Sequence, residues 1–215
     1  MRSLLRRTAI LLLSLAALGC RPPDRSAGLT MQHPGLIGAD LVTLHHGTFS
    51  DRDANIRIRG ALLTEAGLAV ADLEYPTSGS QNREIDGMIE EHAAFVERYL
   101  VEHPGTTVTF VGFSQGGCVE LDMMVRLARR DPSLLDRSRA LLLAPARNVK
   151  WGRSTSVGRR MAPRCKLAEV ELEAMAASEP EGPVARILAE RTWVAWSCND
   201  PIVGHDSFSS LAARI

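Results

Sequence analysis

The chain has 215 residues, and its 25 Lys and Arg balance 25 Asp and Glu. A neutral balance gives no general attraction to polyanions, so we expect no nucleic-acid partner. The length suits one domain with a sizeable core.

The first 19 residues have the composition of a secretory signal. Arg2, Arg6 and Arg7 form a basic start, and residues 9–18 form an apolar stretch. This stretch is too short, and wrongly flanked, for a helix that spans a bilayer. We therefore interpret residues 1–19 as a signal peptide.

The signal ends at a cysteine, Cys20, in a setting that resembles a bacterial lipobox. The resemblance implies acylation of Cys20, with anchoring to a membrane on the periplasmic or cell-surface side; an ordinary cleaved signal is the alternative. Removing three arginines and no acid from the 25 against 25 leaves 22 basic and 25 acidic residues, a mildly acidic chain. Residues 20–37 then form a flexible tether, and residues 38–215 the domain.

Five short apolar runs bounded by turn residues predict five strands. They lie at 40–45, 68–73, 107–111, 140–143 and 192–197. Helical patterns alternate with them, and the clearest covers residues 84–102, where apolar side chains recur at steps of three and four. This alternation predicts an α/β fold with a mainly parallel sheet covered on both faces.

A Gly-Phe-Ser-Gln-Gly pentapeptide follows the third predicted strand, and a helical pattern starts at Gln115. A serine on so sharp a turn needs neighbours without side chains, which Gly112 and Gly116 supply. Ser114 would then project from the end of the sheet at a helix N-terminus, where free N–H groups favour negative charge. The context predicts a nucleophile elbow; a glycine-rich turn is the alternative.

Residues 146–190 form a charged insertion after the fourth strand, and we consider it a candidate lid. Its first part carries seven basic residues without an acid, and five Glu without a base follow between 169 and 181. The favoured interpretation is a solvated insertion whose opposite charges pair locally. The alternative is a basic surface that contacts anionic lipid or guides an anionic substrate.

Three cysteines remain beyond Cys20. Cys118 lies just inside the helix after the elbow, where we expect a packed free thiol. Cys165 and Cys198 are then the pair left for a disulfide. No spacing of cysteines or histidines resembles a metal site.

Three sequence features together resemble the α/β-hydrolase family, in its carboxylesterase and acyl-protein thioesterase branch. They are the elbow at 112–117, the Asp-Pro-Ile-Val turn at 200–203, and the His-Gly step at 46–47. The resemblance implies a three-layer α/β-hydrolase fold and assigns Asp200 as the catalytic acid. A turn residue before proline is the other role open to Asp200.

This architecture also indicates where an oxyanion would bind. The backbone N–H of Gln115 would be one donor, and the loop after Gly47 would supply the second, from Thr48. His45 and His46 lie near this loop, and we expect them to shape it rather than to contact substrate. His92, on the apolar stripe of the long helix, is expected to be structural, because nothing places it at the carboxyl end of a strand.

The general base is where the chain departs from the family's pattern. His205 follows Asp200 closely, whereas the family's histidine usually follows a further strand. In one interpretation His205 is the base. In the other, residues 206–211 begin the helix normally found after the acid, and the final strand with its histidine is missing.

The sequence therefore predicts a serine hydrolase of carboxylic esters or thioesters. Ser114 would attack the carbonyl, His205 would take its proton, and Asp200 would orient the histidine. The expected partner is a small ester or acyl substrate, no metal or organic cofactor is required, and the chain is expected to be monomeric. The alternative is a binding or scaffold lipoprotein that kept the fold and lost the base.

Overall fold

The computed structural model describes residues 38–47, 67–73, 82–145 and 156–195. The strands are β1 Leu41–His45, β2 Ala69–Leu73, β3 Val108–Phe113, β4 Ser138–Leu143 and β5 Thr192–Ala195. The helices are α1 Asn82–Glu102, α2 Gln115–Arg130, the 3₁₀ helix Pro132–Arg137, α3 Ser156–Ser178 and α4 Pro183–Glu190. Every predicted strand is present; residues 196–197 of the fifth lie outside the described residues, and the other boundaries differ by at most two residues.

The five strands form one parallel sheet in the order β2-β1-β3-β4-β5. This confirms the predicted α/β class and the parallel sheet of about five strands. The chain runs from β1 to one neighbour, β2, and then crosses to the opposite side of β1 to form β3. The connections thus diverge between β1 and β3, and ligands in open parallel sheets bind at the carboxyl ends of strands at such a point.

Both faces of the sheet are buried, as the apolar composition of its strands requires. On one face, strand residues such as Leu41 and Phe110 belong to a cluster that includes buried residues of all four α-helices. The other face carries a separate cluster that includes Leu44 and Val111. Alternate residues of each strand therefore serve two hydrophobic layers.

The end of α2 illustrates how local sequence sets these boundaries. Asp131 is extended, with φ −154° and ψ 100°, because the following Pro132 disfavours a helical residue before it. The Asp131 carboxylate then accepts a hydrogen bond from the backbone N–H of Ser133 at 2.9 Å. The same residue thus ends one helix and caps the next.

Helix α3, in the charged insertion, packs against α2 and contributes to the core. Cys165, Ala168 and Leu172 are buried. Cys165 forms a disulfide with Cys118 of α2. The expected free thiol at Cys118 and the expected bridge from Cys165 to Cys198 are therefore wrong, because helix packing brings together two cysteines that lie 47 residues apart.

Two described charges of α3 pair with neighbouring helices. Arg164 contacts Asp86 of α1 at 2.5 Å and Asp122 of α2 at 2.8 Å. Glu171 receives a bidentate contact from Arg129 of α2. Two charges of the insertion thus form bridges across the helical layer, while Arg147, Lys150 and Arg153 lie outside the described residues. Within the described ranges, none of the helices has the length and apolarity needed to cross a bilayer.

Candidate active site

Ser114 occupies the turn between β3 and α2 in a backbone conformation that L-residues rarely adopt. Its φ is 54° and its ψ is −116°, and its side chain is partly exposed. The backbone N–H of Ser114 donates to the carbonyl of Leu143 at 2.8 Å, which ties the turn to the end of β4. Such a conformation costs about 1–3 kcal/mol and persists only where the surroundings impose it.

The glycines on either side make this turn possible by close backbone contact. A Cβ on Gly112 would lie 2.5 Å from the carbonyl carbon of Gly116. A Cβ on Gly116 would lie 2.3 Å from the carbonyl oxygen of His45. No side chain fits at either position, so both glycines are required by the approach of β1, β3 and α2.

The end of β1 lies directly beside the serine. His45 is in register with Gly112 on β3. A Cβ on Gly47 would come within 3.3 Å of the Cβ of Ser114 and 3.0 Å of the Phe113 ring. The predicted His-Gly step and the predicted elbow therefore meet at the switch point of the sheet.

His46 is buried, and its Nδ1 donates to the carbonyl of Gly47 at 3.0 Å. This contact suits the expected role of shaping the loop. Gln115 is the first residue of the 16-residue helix α2, and its side chain is buried. The N–H of Gln115 lies in the first turn of this helix, where the helix dipole favours negative charge, as the expected oxyanion donor requires.

A buried polar cluster lies beneath the elbow, and its centre is His45. Oε1 of Glu120, from α2, lies 2.8 Å from Nδ1 of His45 and accepts from the Thr43 hydroxyl at 3.0 Å. Nε2 of His45 lies 3.0 Å from Nδ1 of His92, from α1. All four side chains are buried. Burial raises the pKa of Glu120 well above its usual range, although the Thr43 hydroxyl partly opposes this.

This imidazole–carboxylate pair does not have the geometry of a catalytic base. Both ring nitrogens of His45 are engaged by protein groups, and only 1% of the residue is exposed. A base must reach the proton that it abstracts. The pair is instead a structural element of the site. His92 is part of the same cluster, which agrees with the structural role expected for that residue.

Sequence reasoning did not identify Glu120. The signal in the sequence was an acid between Val119 and Leu121 near the start of the helix after the elbow, and the structure buries the first eleven residues of that helix. A charged side chain at such a position must either find a partner or hold a proton. The histidine at the end of β1, the strand beside β3 in the sheet, was the partner to look for.

Several predicted site residues lie outside the described part of the chain. They are the lipid-anchor residue Cys20, the oxyanion donor Thr48, the acid Asp200 and the base His205. The structure therefore brings together Ser114, Gln115 and the glycines at 47, 112 and 116. In the ranges that are described, no group of three or more His, Cys, Asp or Glu side chains could hold a metal ion.

Solved structures with the same architecture are α/β-hydrolases. A monoacylglycerol lipase from Paleococcus ferrophilus has a TM-score of 0.57 at 12% identity, over 88% of this chain and 85% of that chain. A hydrolase from Pseudomonas aeruginosa PA01 has a TM-score of 0.52 at 14% identity, over 93% and 87%. An α/β hydrolase from Sphaerobacter thermophilus DSM 20745 has a TM-score of 0.50 at 18% identity, over 91% and 88%.

No protein-family model and no curated protein matches the sequence. At these low identities the structural likeness concerns the fold, and the chain has the α/β-hydrolase fold.

Proposed function

We propose that the protein is a serine hydrolase of carboxylic esters or thioesters that works through an acyl-enzyme. The observation that carries the proposal is the strained backbone of Ser114 at the carboxyl end of β3, with φ 54°. Strained non-glycine residues cluster at active sites, where packing over-determines them. Here the packing is the glycine contact between Gly116 and the end of β1.

The chemistry follows from this placement. The Ser114 hydroxyl attacks the substrate carbonyl while His205, oriented by Asp200, accepts its proton. The oxyanion accepts hydrogen bonds from the N–H of Gln115 and from the loop after Gly47, for which Thr48 is the proposed donor. The proton passes to the leaving alcohol or thiol, and a water deprotonated by the histidine then hydrolyses the acyl-enzyme.

The structural neighbours support ester hydrolysis as the reaction class. One of them is named a monoacylglycerol lipase, and it has the highest TM-score of the three compared above. A fold hosts many chemistries, so the argument for this chain rests on the serine turn and its neighbours.

A fluorophosphonate probe tests the nucleophile. The purified protein should be labelled, and Ser114→Ala should remain unlabelled because the attacking oxygen is gone. Ser133→Ala, at an exposed serine of the 3₁₀ helix, is the matched control and should label normally. Equal labelling of Ser114→Ala, or an unlabelled parent protein, would contradict the proposal and favour a non-catalytic relative of the fold.

The acid and base are tested separately from the nucleophile. Asp200→Asn and His205→Ala should each lower the hydrolysis of a nitrophenyl ester by about 1000-fold or more, as for other triads. Circular dichroism should show that both variants are folded. An unchanged rate in His205→Ala removes this histidine from the mechanism while leaving Ser114 as the nucleophile.

We also propose that the protein is exported and anchored through acylated Cys20. The disulfide between Cys118 and Cys165 supports export, since disulfides persist in oxidising compartments. Incorporation of an alkyne-tagged fatty acid in cells should be seen for the parent protein and be absent in Cys20→Ser. Labelling that survives this substitution would exclude Cys20 as the anchor.

A further inference from the structure

The buried cluster of Glu120, His45 and His92 has no part in the proposed chemistry, yet burying its polar groups is energetically unfavourable. A carboxyl group taken out of water costs several kcal/mol unless it is neutral or well paired. Apolar residues of similar size often stabilise such a position better than a buried polar network does. The cluster therefore calls for an explanation beyond core packing.

The contacts converge on one residue from three elements. His45 closes β1, Glu120 lies on α2, and His92 lies on α1. The main chain of His45 is at the same time the surface against which Gly116 packs. Glu120 and His92 thus hold the ring of His45, while the main chain of the same residue contacts the elbow.

One arrangement of protons that satisfies these contacts leaves the cluster neutral. Oε1 of Glu120 accepts from Thr43, and it accepts from Nδ1–H of His45 when the carboxyl proton is on Oε2. Nε2 of His45 then accepts from Nδ1–H of His92. Each contact joins one donor to one acceptor, so the neutral cluster holds the His45 ring in a single orientation.

We infer that Glu120 and His92 are positioning residues, which act through His45 to hold the His46–Gly47 step against the Ser114 turn. The inference rests on the proposed function, because the placement of this step affects a rate only if Ser114 is the nucleophile. A Cβ on Gly116 would lie 2.3 Å from the carbonyl oxygen of His45, so a shift of the β1 end moves the backbone against which the Ser114 turn packs. A displacement of about 1 Å at a reacting centre lowers rates by about 100-fold.

The matched set of variants is Glu120→Leu, Glu120→Gln, His92→Leu and Tyr99→Phe. Glu120→Leu should lower kcat/KM for a nitrophenyl ester by about 10- to 100-fold, mostly in kcat, because the loss lies in transition-state geometry. Glu120→Gln keeps the Oε1 acceptor and should recover most of the rate. His92→Leu removes only the outer contact and should cost less than Glu120→Leu.

Tyr99→Phe is the control for a purely structural effect. The Tyr99 hydroxyl donates to the carbonyl of Ala39, at the opposite end of β1, at 2.6 Å. This variant should lose stability in urea and keep the parent rate. A folded His92→Leu variant with the parent rate would overturn the inference, even if Glu120→Leu does not fold. Rate losses in Glu120→Leu and His92→Leu that are no larger than the loss in Tyr99→Phe would also overturn it.

A second measurement separates this inference from the proposed function. Hydrogen exchange by mass spectrometry should be faster in the peptide containing His45, His46 and Gly47 in Glu120→Leu and unchanged there in Tyr99→Phe. An unlabelled parent protein would overturn the proposed function, whereas unchanged exchange in this peptide would overturn the positioning role. The two failures are therefore distinguishable.

Discussion

Gly116 lies against the carbonyl oxygen of His45 so closely that a Cβ on the glycine would come within 2.3 Å of it. This contact joins the start of the helix after the serine to the end of β1. A neighbouring contact, between Gly112 and the backbone of Gly116, closes the turn itself. The position of Ser114 is therefore determined by main-chain packing, which no rotamer change can relieve.

We expect Gly116→Ala to lower the free energy of unfolding by about 2–5 kcal/mol, since backbone atoms must move to admit the methyl group. Fluorophosphonate labelling should be lost with it. Gly87→Ala, in α1, is the control because nothing lies within 4 Å of the added atom. It should raise stability in urea by about 0.5–1 kcal/mol, as expected for Gly to Ala in a helix. Equal effects of the two changes would contradict the contact.

The strain at Ser114 predicts that a variant which relieves it is more stable but inactive. Ser114→Gly relieves a conformation with φ 54° that costs about 1–3 kcal/mol, and it adds unfolded-state entropy worth about 0.4–1 kcal/mol. Ser114→Gly should therefore be about 1 kcal/mol more stable in urea than Ser114→Ala, which keeps the Cβ. Both variants should be inactive. A more stable Ser114→Ala would show that the turn is relaxed.

The disulfide between Cys118 and Cys165 should contribute about 2–4 kcal/mol, because it closes a long loop in the unfolded chain. The double variant Cys118→Ala/Cys165→Ala should lose this amount in urea, whereas Cys198→Ser should lose little. Of the four cysteines, a secreted form without Cys20 should show one reactive thiol after denaturation without reductant. Three thiols would exclude the bridge.

Local signals were enough to predict the strands, the long helix and the serine turn. Buried parallel strands are short apolar runs, and the turn needs glycines at two fixed places, so both are visible within a few residues. The resemblance to α/β-hydrolases added Gly47, on which a Cβ would lie 3.3 Å from the Cβ of Ser114.

The partners across the helical layer could not be predicted in this way. Cys118 meets Cys165 only because α3 packs on α2, and Glu120 meets His45 only because α2 crosses the end of β1. The charges of the insertion suggested local pairing, yet Arg164 pairs with α1 and α2 instead. Such pairings depend on the angles at which elements pack, and sequence spacing does not determine those angles.

Arg164 should stabilise the helical layer more than Arg129, which also joins α2 and α3. It contacts Asp86 and Asp122 and is 24% exposed, and its hydrogen bond lowers the pKa of Asp86. Arg164→Met should cost about 1–2 kcal/mol in urea, and the loss should shrink in high salt. Arg129→Met, at a residue that is 61% exposed and paired with Glu171, should cost under about 0.5 kcal/mol. Similar losses would contradict this ranking.

The raised pKa of Glu120 predicts how stability changes with pH. The folded protein holds the proton on Glu120 at pH values where the unfolded chain, near its usual 4.5, has released it. Stability contributed by the neutral form is therefore complete below about pH 4.5 and is lost as the pH rises to the folded-state pKa, by up to about 1.4 kcal/mol per pH unit.

Glu120→Gln cannot ionise and should lack this component. The difference in unfolding free energy between variant and parent should therefore grow in the variant's favour as the pH rises. Urea titrations from pH 5 to 8 measure it directly. Parallel curves would mean that the folded cluster holds no proton that the unfolded chain releases, which would contradict the raised pKa of Glu120.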